Sequence, residues 1–381
     1  MKRVDPSFSA VDPVEIDAHI DIARRAASEN GKETFLLSAM RLFALSGNGH
    51  TRLIPNDAIS VLPLRFVAIG PSVYLTAASN QFAELAPRKL LGVNGVSVKG
   101  IEKASASFLA GTPQRQRVIG PLLYAWPAAL AHLGVGSVGS HTQYLLQDAD
   151  ASTTTIRVAN ADTVAASELY PRNEHGKAEP IWNHTGFVEF HHVSAHGAVL
   201  KLPSFFDPEE RTFPKAIDKA AAWVDAHKDR CLVIDVRGNT GGDFLVTMPL
   251  IEAIARNTWS GGCAVVVDKF TFSAAIVFVA LLKYRLGSRL TIVGEEMGDC
   301  LRFFAEGGLT ELPSSGALVR YSTALHDWEA GSVDQTTPPE IARMIVPVRR
   351  LDIDRDWFSS PFDAAPQSIV YERLVKDLAH L

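Results

Sequence analysis

Hydrophobic positions follow a helical period in the first part of the chain. Residues 13–26 and 33–45 carry apolar side chains three and four positions apart, which predicts two amphipathic helices. A Gly-Asn-Gly segment then ends the second helix. From residue 51 to about 180, short apolar runs are broken by Gly, Pro and Asn. This pattern favours a mostly β region with a helix near 121–133.

Strands and helices alternate in the second half of the chain. A polar, proline-bearing segment at 170–183 predicts the surface connection that precedes them. The continuous apolar run at 231–236 is typical of a strand buried on both faces. Such alternation predicts a parallel sheet with right-handed crossovers, and so an α/β fold. The predicted elements are strands at 198–203, 231–236, 263–267 and 290–293 and helices at 213–227, 244–256 and 273–286.

Composition narrows the class of protein. The 381 residues are 47% hydrophobic and 21% charged, which is typical of globular domains and excludes collagenous or wholly disordered chains. The 37 Lys and Arg against 42 Asp and Glu leave a net charge of −5, with no clustered basic run. We therefore expect neither nucleic acid nor a membrane surface as a partner.

Targeting and metal-binding patterns are absent from the sequence. No run of 18 apolar residues occurs, and residues 1–13 carry no apolar segment typical of a secretion signal, so a cytoplasmic location is expected. Cys231, Cys263 and Cys300 are odd in number and form no C-x-x-C pair, which indicates neither a disulfide framework nor a zinc site. No H-E-x-x-H occurs, and we expect no metal and no cofactor.

A glycine-rich turn, Arg-Gly-Asn-Thr-Gly-Gly at residues 237–242, follows the predicted strand 231–236; we call it the glycine loop. Its glycines allow sharp bending and leave backbone N–H groups free to face an anion or an oxyanion. The alternative is a tight turn between a strand and a helix. The spacing matches neither the P-loop nor the dinucleotide-binding motif, so nucleotide binding is not favoured.

Ser273 lies in Thr-Phe-Ser-Ala-Ala, between a predicted buried strand and a predicted buried helix. A serine at a helix start is most often an N-cap. The alternative is a nucleophile whose developing charge is stabilised by neighbouring amides. The segment lacks the G-x-S-x-G pattern, so an α/β-hydrolase fold is not indicated.

His50, in Gly-Asn-Gly-His-Thr, is either a helix cap or surface group, or the base that a serine nucleophile needs. A base of this kind is oriented by a third group, which is typically a carboxylate. The candidates are Asp327, Glu329, Asp334 and Glu296, and each of them is alternatively a solvated surface charge.

The order of these motifs resembles the tail-specific (C-terminal processing) serine peptidase family. The matching segments are G-x-G-H-T at His50, the strand ending in D-x-R-x-N-x-G-G at 235–242, T-x-S-A at 271–274, and I-V-G-E at 292–295. The segment Val93-Asn94-Gly95 also resembles the I-N-G turn of the family's substrate-recognition region, without a complete PDZ module. The chain departs from the family pattern at Asn48, where the family has Asp, and at Thr240, Asp299 and Cys300.

The resemblance implies a ClpP/crotonase-like α/β core of ββα units. It implies that Ser273 is the nucleophile and that amides near Gly241, Gly242 and Ala274 form the oxyanion hole. One branch of the family uses a Lys about two dozen residues after the serine. Here that window holds Glu295 and Glu296, and Lys283 is only ten residues on. The resemblance is therefore to the tricorn-core-like branch, with His50 as base and Glu329 as the preferred acid.

The resulting hypothesis is a serine peptidase that forms an acyl-enzyme with a peptide or acyl substrate. The alternatives are an esterase or other acyl hydrolase of a small-molecule pathway, and a non-catalytic module of the same fold that binds a hydrophobic ligand. The chain is also a candidate homo-oligomer. The predicted domains are a helical cap at 1–50, a β-rich recognition region at 51–180, the catalytic core at 181–352 and a helical tail at 353–381.

Overall fold

The computed structural model describes residues 4–55, 58–169, 187–192, 197–207, 212–227, 231–259, 261–357 and 367–378. The predicted connection at 170–183 lies outside them. The chain divides into two compact units. Unit 1 comprises the described residues of Met1–Pro180 and Phe303–Leu325, and unit 2 those of Ile181–Arg302, His326–Phe358 and Asp363–Leu381. The fourfold division into cap, recognition region, core and tail stays a prediction.

Helices and strands are numbered in chain order. The helices are α1 Pro13–Arg25, α2 Gly31–Ala44, α3 Val98–Ser105, α4 Pro113–Ile119, α5 Pro127–His132, α6 Thr212–Ala226, α7 Met248–Arg256, α8 Ala274–Leu286, α9 Pro339–Ala342 and α10 Gln367–Leu378. The strands are β1 Arg52–Ile54, β2 Ser60–Val61, β3 Leu64–Ile69, β4 Ser72–Ala78, β5 Arg88–Val93, β6 Val96–Ser97, β7 His141–Gln147, β8 Thr153–Ala159, β9 Val164–Ala165, β10 Glu189–His192, β11 Gly197–Lys201, β12 Cys231–Asp235, β13 Cys263–Val267, β14 Leu290–Gly294, β15 Arg302–Ala305, β16 Gly308–Glu311, β17 Leu318–Tyr321, β18 Ala324–Asp327 and β19 Arg355–Asp356.

Unit 1 begins with the two predicted amphipathic helices, which are confirmed. Asp12 caps α1 by accepting the Val14 N–H, and Pro13 occupies the first turn, where its missing N–H costs nothing. A π-helical turn at Ala26–Asn30 leads into α2. The buried face of α2 joins a large apolar core that also takes side chains from β3, β4, β5 and β7.

The β region of unit 1 is an antiparallel sheet in the order β3-β4-β5-β7-β8, and β6 pairs with β5 across the Asn94-Gly95 turn. A mostly β region was predicted, whereas α3 and α4 were not. Their signals are the N-caps Ser97 and Thr112, which accept the N–H groups of Gly100 and Arg115. The predicted helix near 121–133 is instead a 3-10 turn at Gly120–Ala125 followed by α5, because Pro127 starts a new helix.

Unit 2 is built on a six-stranded sheet in the order β10-β11-β12-β13-β14-β19. β10 is antiparallel to β11, and the remaining neighbours are parallel, which confirms the prediction of parallel strands for β11 to β14. Helices α6, α7 and α8 provide the crossovers. The predicted helix at 244–256 begins as a 3-10 turn at Leu245–Thr247, and the α-helix starts only at Met248, because a proline occupies its first turn.

The core of unit 2 lies on both faces of this sheet. Each residue of β12 and β13 is buried, as the continuous apolar runs predicted. Helix α8 is buried almost all round, and α10 contributes Tyr371, Leu374 and Val375 to an apolar cluster with β11 to β14. Within the described parts of the chain, every helix is too short or too polar to cross a lipid bilayer.

Candidate active site

The glycine loop and the segment before Ser273 meet at one edge of the unit 2 sheet. Because β12 and β13 are parallel neighbours, their carboxyl ends lie side by side, and the loops that follow them lie in contact. A Cβ built on Gly241 would lie 2.8 Å from the Ser273 Cβ and 3.1 Å from the Ala274 nitrogen. Gly241 has φ +109°, so glycine is required here by backbone conformation and by the close approach of Ser273.

Ser273 has a backbone conformation that few non-glycine residues adopt, with φ 55° and ψ −126°. It precedes α8 directly, but its side chain makes no capping hydrogen bond. The N-cap interpretation therefore does not explain this serine. Strain of this kind costs about 1–3 kcal/mol and persists where the surrounding structure enforces it, often at functional sites. Ser273 is only partly buried, unlike the alanines that follow it in α8.

The three amides predicted for an oxyanion hole differ in their partners. The Gly241 N–H donates to Asn239 Oδ1 at 2.9 Å and is therefore engaged. A backbone bridge to Phe205 uses the Gly241 carbonyl and the Asp243 N–H and leaves the Gly242 N–H out. Among the contacts of the described residues, the N–H groups of Gly242 and Ala274 have no acceptor. Ala274 follows Ser273 directly in the chain, and the Gly242 and Ala274 amides are the remaining candidates for binding an oxyanion.

An ion pair between the buried Asp235 and the partly buried Arg237 supports the start of the glycine loop. Two Arg237 nitrogens donate to the Asp235 carboxylate, at 2.9 and 2.6 Å, and the Tyr371 hydroxyl donates to Asp235 Oδ2 at 2.8 Å. Arg237 also lies 4.5 Å from the centroid of the Trp357 ring. Burial alone would raise the pKa of Asp235, but the Arg237 charge and these hydrogen bonds outweigh it and hold that pKa below its usual range.

Removal of the Asp235 carboxylate is expected to destabilise unit 2. Asp235→Ala removes the carboxylate that accepts both Arg237 hydrogen bonds, and the expected loss is about 3–5 kcal/mol in the free energy of unfolding near pH 7. Because the pKa of Asp235 is lowered in the folded state, its contribution is present above about pH 4 and is lost as the pH falls further. Urea unfolding at pH 7 and at pH 3 measures both effects.

The matched control is Glu252→Ala. Glu252 pairs with Arg285 at 2.6 Å, but both side chains are nearly half exposed. Its loss is expected to change the free energy of unfolding by less than about 1 kcal/mol at either pH. Equal effects of the two substitutions would contradict a special role for the Asp235 pair.

His50 lies in unit 1, in the loop after α2. Its side chain is 1% exposed, and the imidazole stacks on the Phe303 ring with centroids 5.1 Å apart. A surface-group interpretation of His50 is therefore wrong. Stacking on Phe303 restrains the orientation of the buried ring.

The loop that carries His50 is anchored by a buried polar network of unit 1. Asn48 Oδ1 accepts the Phe304 N–H at 3.2 Å, while its Nδ2 lies 3.0 Å from the Phe304 carbonyl. Thr51 donates its hydroxyl to Asp5 Oδ2 at 2.7 Å, and the Ser322 N–H donates to the same oxygen at 2.9 Å. The amide of Asn48 both donates and accepts, which a carboxylate at the family's usual Asp position could not do.

The candidate acids of unit 2 have different environments. Glu329, Asp334 and Glu296 are exposed. Asp327 is 5% exposed, accepts the Ala330 N–H at 2.8 Å and lies 3.6 Å from the Arg302 side chain. The Asp327 carboxylate thus bonds within its own turn, whereas Glu329, two residues on, is exposed.

The lysines nearest to Ser273 in the sequence make contacts with other groups. Lys283 lies on α8 nine residues after its first residue, about 14 Å further along the axis, and donates to the Leu290 carbonyl at 2.9 Å. Lys269 is buried in an ion pair with Glu295 at 2.9 Å. A lysine base is disfavoured by these contacts. No three His, Cys, Asp or Glu side chains of the described residues form a group that could hold a metal ion.

The sequence matches no protein-family model and no curated protein. Solved structures do match. Mature CPAF complexed with lactacystin aligns with a TM-score of 0.58 at 12% identity over 97% of this chain and 93% of that chain. The fold of this chain is that of CPAF. A second structure of mature CPAF has a TM-score of 0.57 at 12% identity, with 99% and 94% covered.

The photosystem II D1 C-terminal processing protease aligns with a TM-score of 0.35 at 16% identity, over 85% of this chain and 83% of that chain. The similarity to CPAF covers both units of this chain, so the predicted α/β fold class is confirmed over nearly the whole length. At 12% identity the likeness to CPAF is one of fold.

Proposed function

We propose that this protein is a serine peptidase in which Ser273 forms an acyl-enzyme. The observation that carries the proposal is the strained, uncapped conformation of Ser273, packed against Gly241 at the start of a buried helix. A serine kept at φ 55° without a capping bond is explained by a need to present its hydroxyl. The motif order shared with tail-specific peptidases and the fold shared with CPAF support the same function.

In the proposed mechanism, His50 accepts the Ser273 proton as the hydroxyl oxygen attacks the carbonyl carbon of the substrate. The oxyanion of the tetrahedral intermediate accepts hydrogen bonds from the Gly242 and Ala274 amides. A donor of this kind contributes about 3–4 kcal/mol to stabilisation of the transition state. The protonated His50 then gives its proton to the leaving amine. Water then attacks the acyl carbonyl carbon and gives a proton to His50. As the bond between the acyl carbon and the Ser273 oxygen breaks, His50 returns this proton to that oxygen, and the acid product leaves.

The carboxylate that orients His50 is proposed to be Glu329. Its support is the order of motifs, together with the engagement of the Asp327 carboxylate by the Ala330 N–H and by Arg302. The peptide or acyl substrate, the homo-oligomeric state and the cytoplasmic location also stay predictions.

Covalent labelling tests the proposed function. Incubation with a fluorophosphonate is expected to add one probe per chain, and mass spectrometry of the digested protein should place it on the peptide that contains Ser273.

A comparison of substrates tests the class of reaction. Hydrolysis of a peptide library is compared with that of p-nitrophenyl esters of short acids. Cleavage of peptides supports the peptidase, and cleavage of esters alone supports the small-molecule acyl hydrolase. A hydrophobic molecule that copurifies with an unlabelled protein would instead support a binding module.

A further inference from the structure

The residue that ties the glycine loop to the serine is not among those that the motifs single out. Asp268 follows β13 and begins the segment 268–273, which we call the serine loop. Its carboxylate oxygen Oδ1 accepts the Gly238 N–H at 3.0 Å, the Phe270 N–H at 2.9 Å and the Thr271 N–H at 3.0 Å. One carboxylate thus holds an amide of the glycine loop and two amides of the serine loop.

Two further contacts join the same loops. The Thr271 hydroxyl donates to the Val236 carbonyl at 3.1 Å, and the Phe272 N–H donates to the Asn239 carbonyl at 3.0 Å. Asn239 is fully buried and donates its side chain to the Leu202 carbonyl, so this part of the glycine loop is anchored to the sheet. The Asp268 bonds lie at the base of the loops, and the Gly241–Ser273 contact lies at their ends.

We propose that Asp268 is a positioning residue that keeps the glycine loop in register with the serine loop, so that the Gly242 and Ala274 amides face the same point beside Ser273. The role in hydrolysis rests on the proposed function, whereas the tie between the loops does not. A displacement of the reacting groups by about 1 Å can lower the rate on the order of a hundredfold. Loss of the Asp268 hydrogen bonds between the two loops should therefore have a measurable effect on the rate of hydrolysis.

Charge strengthens this tie, because hydrogen bonds to an ionised acceptor are about twice as strong as neutral ones. Burial raises the pKa of Asp268 to about 6, although the Gly238 amide and the Arg237 charge lower it, and the nearby Glu295 and Asp235 charges add to the rise. Lys269, the next residue, is paired with Glu295. The carboxylate is therefore ionised at pH 7 and becomes neutral as the pH falls through about 6.

Two substitutions of Asp268 distinguish an effect on the alignment of the two loops from an effect on the stability of the fold. Asp268→Ala removes the acceptor, and kcat is expected to fall on the order of a hundredfold with KM changed less than about twofold. Asp268→Asn retains one acceptor oxygen and should restore kcat to within about tenfold of the wild type. The matched control is Asp150→Asn in unit 1, where an exposed carboxylate accepts the Ser152 N–H at 2.9 Å in a similar turn, and no change is expected.

Amide hydrogen exchange provides a readout that does not depend on activity. Peptides covering 237–242 are expected to exchange about tenfold faster in Asp268→Ala at pH 7, after correction for intrinsic rates. In the wild type this protection should weaken below about pH 6, and in Asp268→Asn it should not change there. Thermal unfolding of each variant shows whether it folds. If Asp268→Ala does not fold, the test rests on the hydrogen exchange of Asp268→Asn alone.

The two proposals fail in different ways. A wild-type protein that takes no fluorophosphonate and cleaves no substrate would overturn the proposed function, while exchange at 237–242 still tests the tie. Unchanged exchange in both Asp268 variants would overturn the tie, whatever the activity. A folded Asp268→Ala variant with wild-type kcat would overturn the role of the tie in hydrolysis.

Discussion

Replacement of Ser273 by Ala is expected to abolish fluorophosphonate labelling and to reduce hydrolysis at least about ten-thousand-fold. The hydroxyl is the only group in the proposed mechanism that bonds covalently to the substrate, so the remaining amides and His50 cannot form the acyl-enzyme. Residual activity should correspond to oxyanion stabilisation and substrate binding alone. Active-site titration of wild-type and variant protein, followed by progress curves on a common substrate, measures the loss.

A second variant at this position separates chemistry from folding. Ser273→Gly also lacks the hydroxyl, but glycine adopts φ 55° without the strain that Ser and Ala carry there. It is expected to be as inactive as Ser273→Ala and more stable than it by about 1 kcal/mol, measured by urea unfolding. Activity of either variant within tenfold of the wild type would remove Ser273 from the mechanism.

Replacement of His50 by Gln is expected to lower kcat by about 10³- to 10⁶-fold with little change in KM. The glutamine amide fills most of the imidazole volume beside Phe303, but it cannot accept the Ser273 proton. A base is needed in both acylation and deacylation, so the loss should be seen in single-turnover and steady-state measurements alike. The acid limb of the kcat/KM profile that the His50 base produces should also disappear from the residual activity.

Two histidines serve as comparisons for His50. His132 is on the surface at the end of α5, where its ring Nδ1 donates to the Ala128 carbonyl of the same helix, so His132→Gln is expected to leave kcat unchanged. His326 is 2% exposed, lies in the same unit as Ser273 and has Phe244 and Trp328 as ring neighbours. Activity that survives His50→Gln and is lost in His326→Gln would assign the base to His326 and overturn the assignment of His50.

Regular elements with a strong apolar pattern were predictable from the sequence. The continuous apolar runs of β12 and β13 identify strands that are buried on both faces, because such strands need no polar side. Helix α8 was predictable for the same reason. The short helices α3 and α4 were not predicted, since seven or eight residues carry too little periodicity, and only their caps at Ser97 and Thr112 indicate them.

The candidate site was predictable in part. The glycine loop and Ser273 each follow a strand, and parallel neighbouring strands bring such segments together. The partner of each amide was not predictable: Gly241 looks equivalent to Gly242 in sequence, yet Asn239 Oδ1 takes its N–H. Asp268 also carries no sequence signal, because a single Asp after a strand is common and its role depends on an amide thirty residues away in the chain.

The sequence by itself determined the α/β class, the strands and helices around Ser273, and the set of residues able to supply a nucleophile, a base and an oxyanion hole. These follow from local apolar periodicity and from side-chain chemistry, which are properties of short segments. Only the tertiary structure decided that Ser273 is strained rather than capping, that His50 is buried, and that the Gly241 N–H is engaged by Asn239. Backbone strain, burial and hydrogen-bond pairing depend on segments that are far apart in the chain, so a local sequence pattern does not predict them.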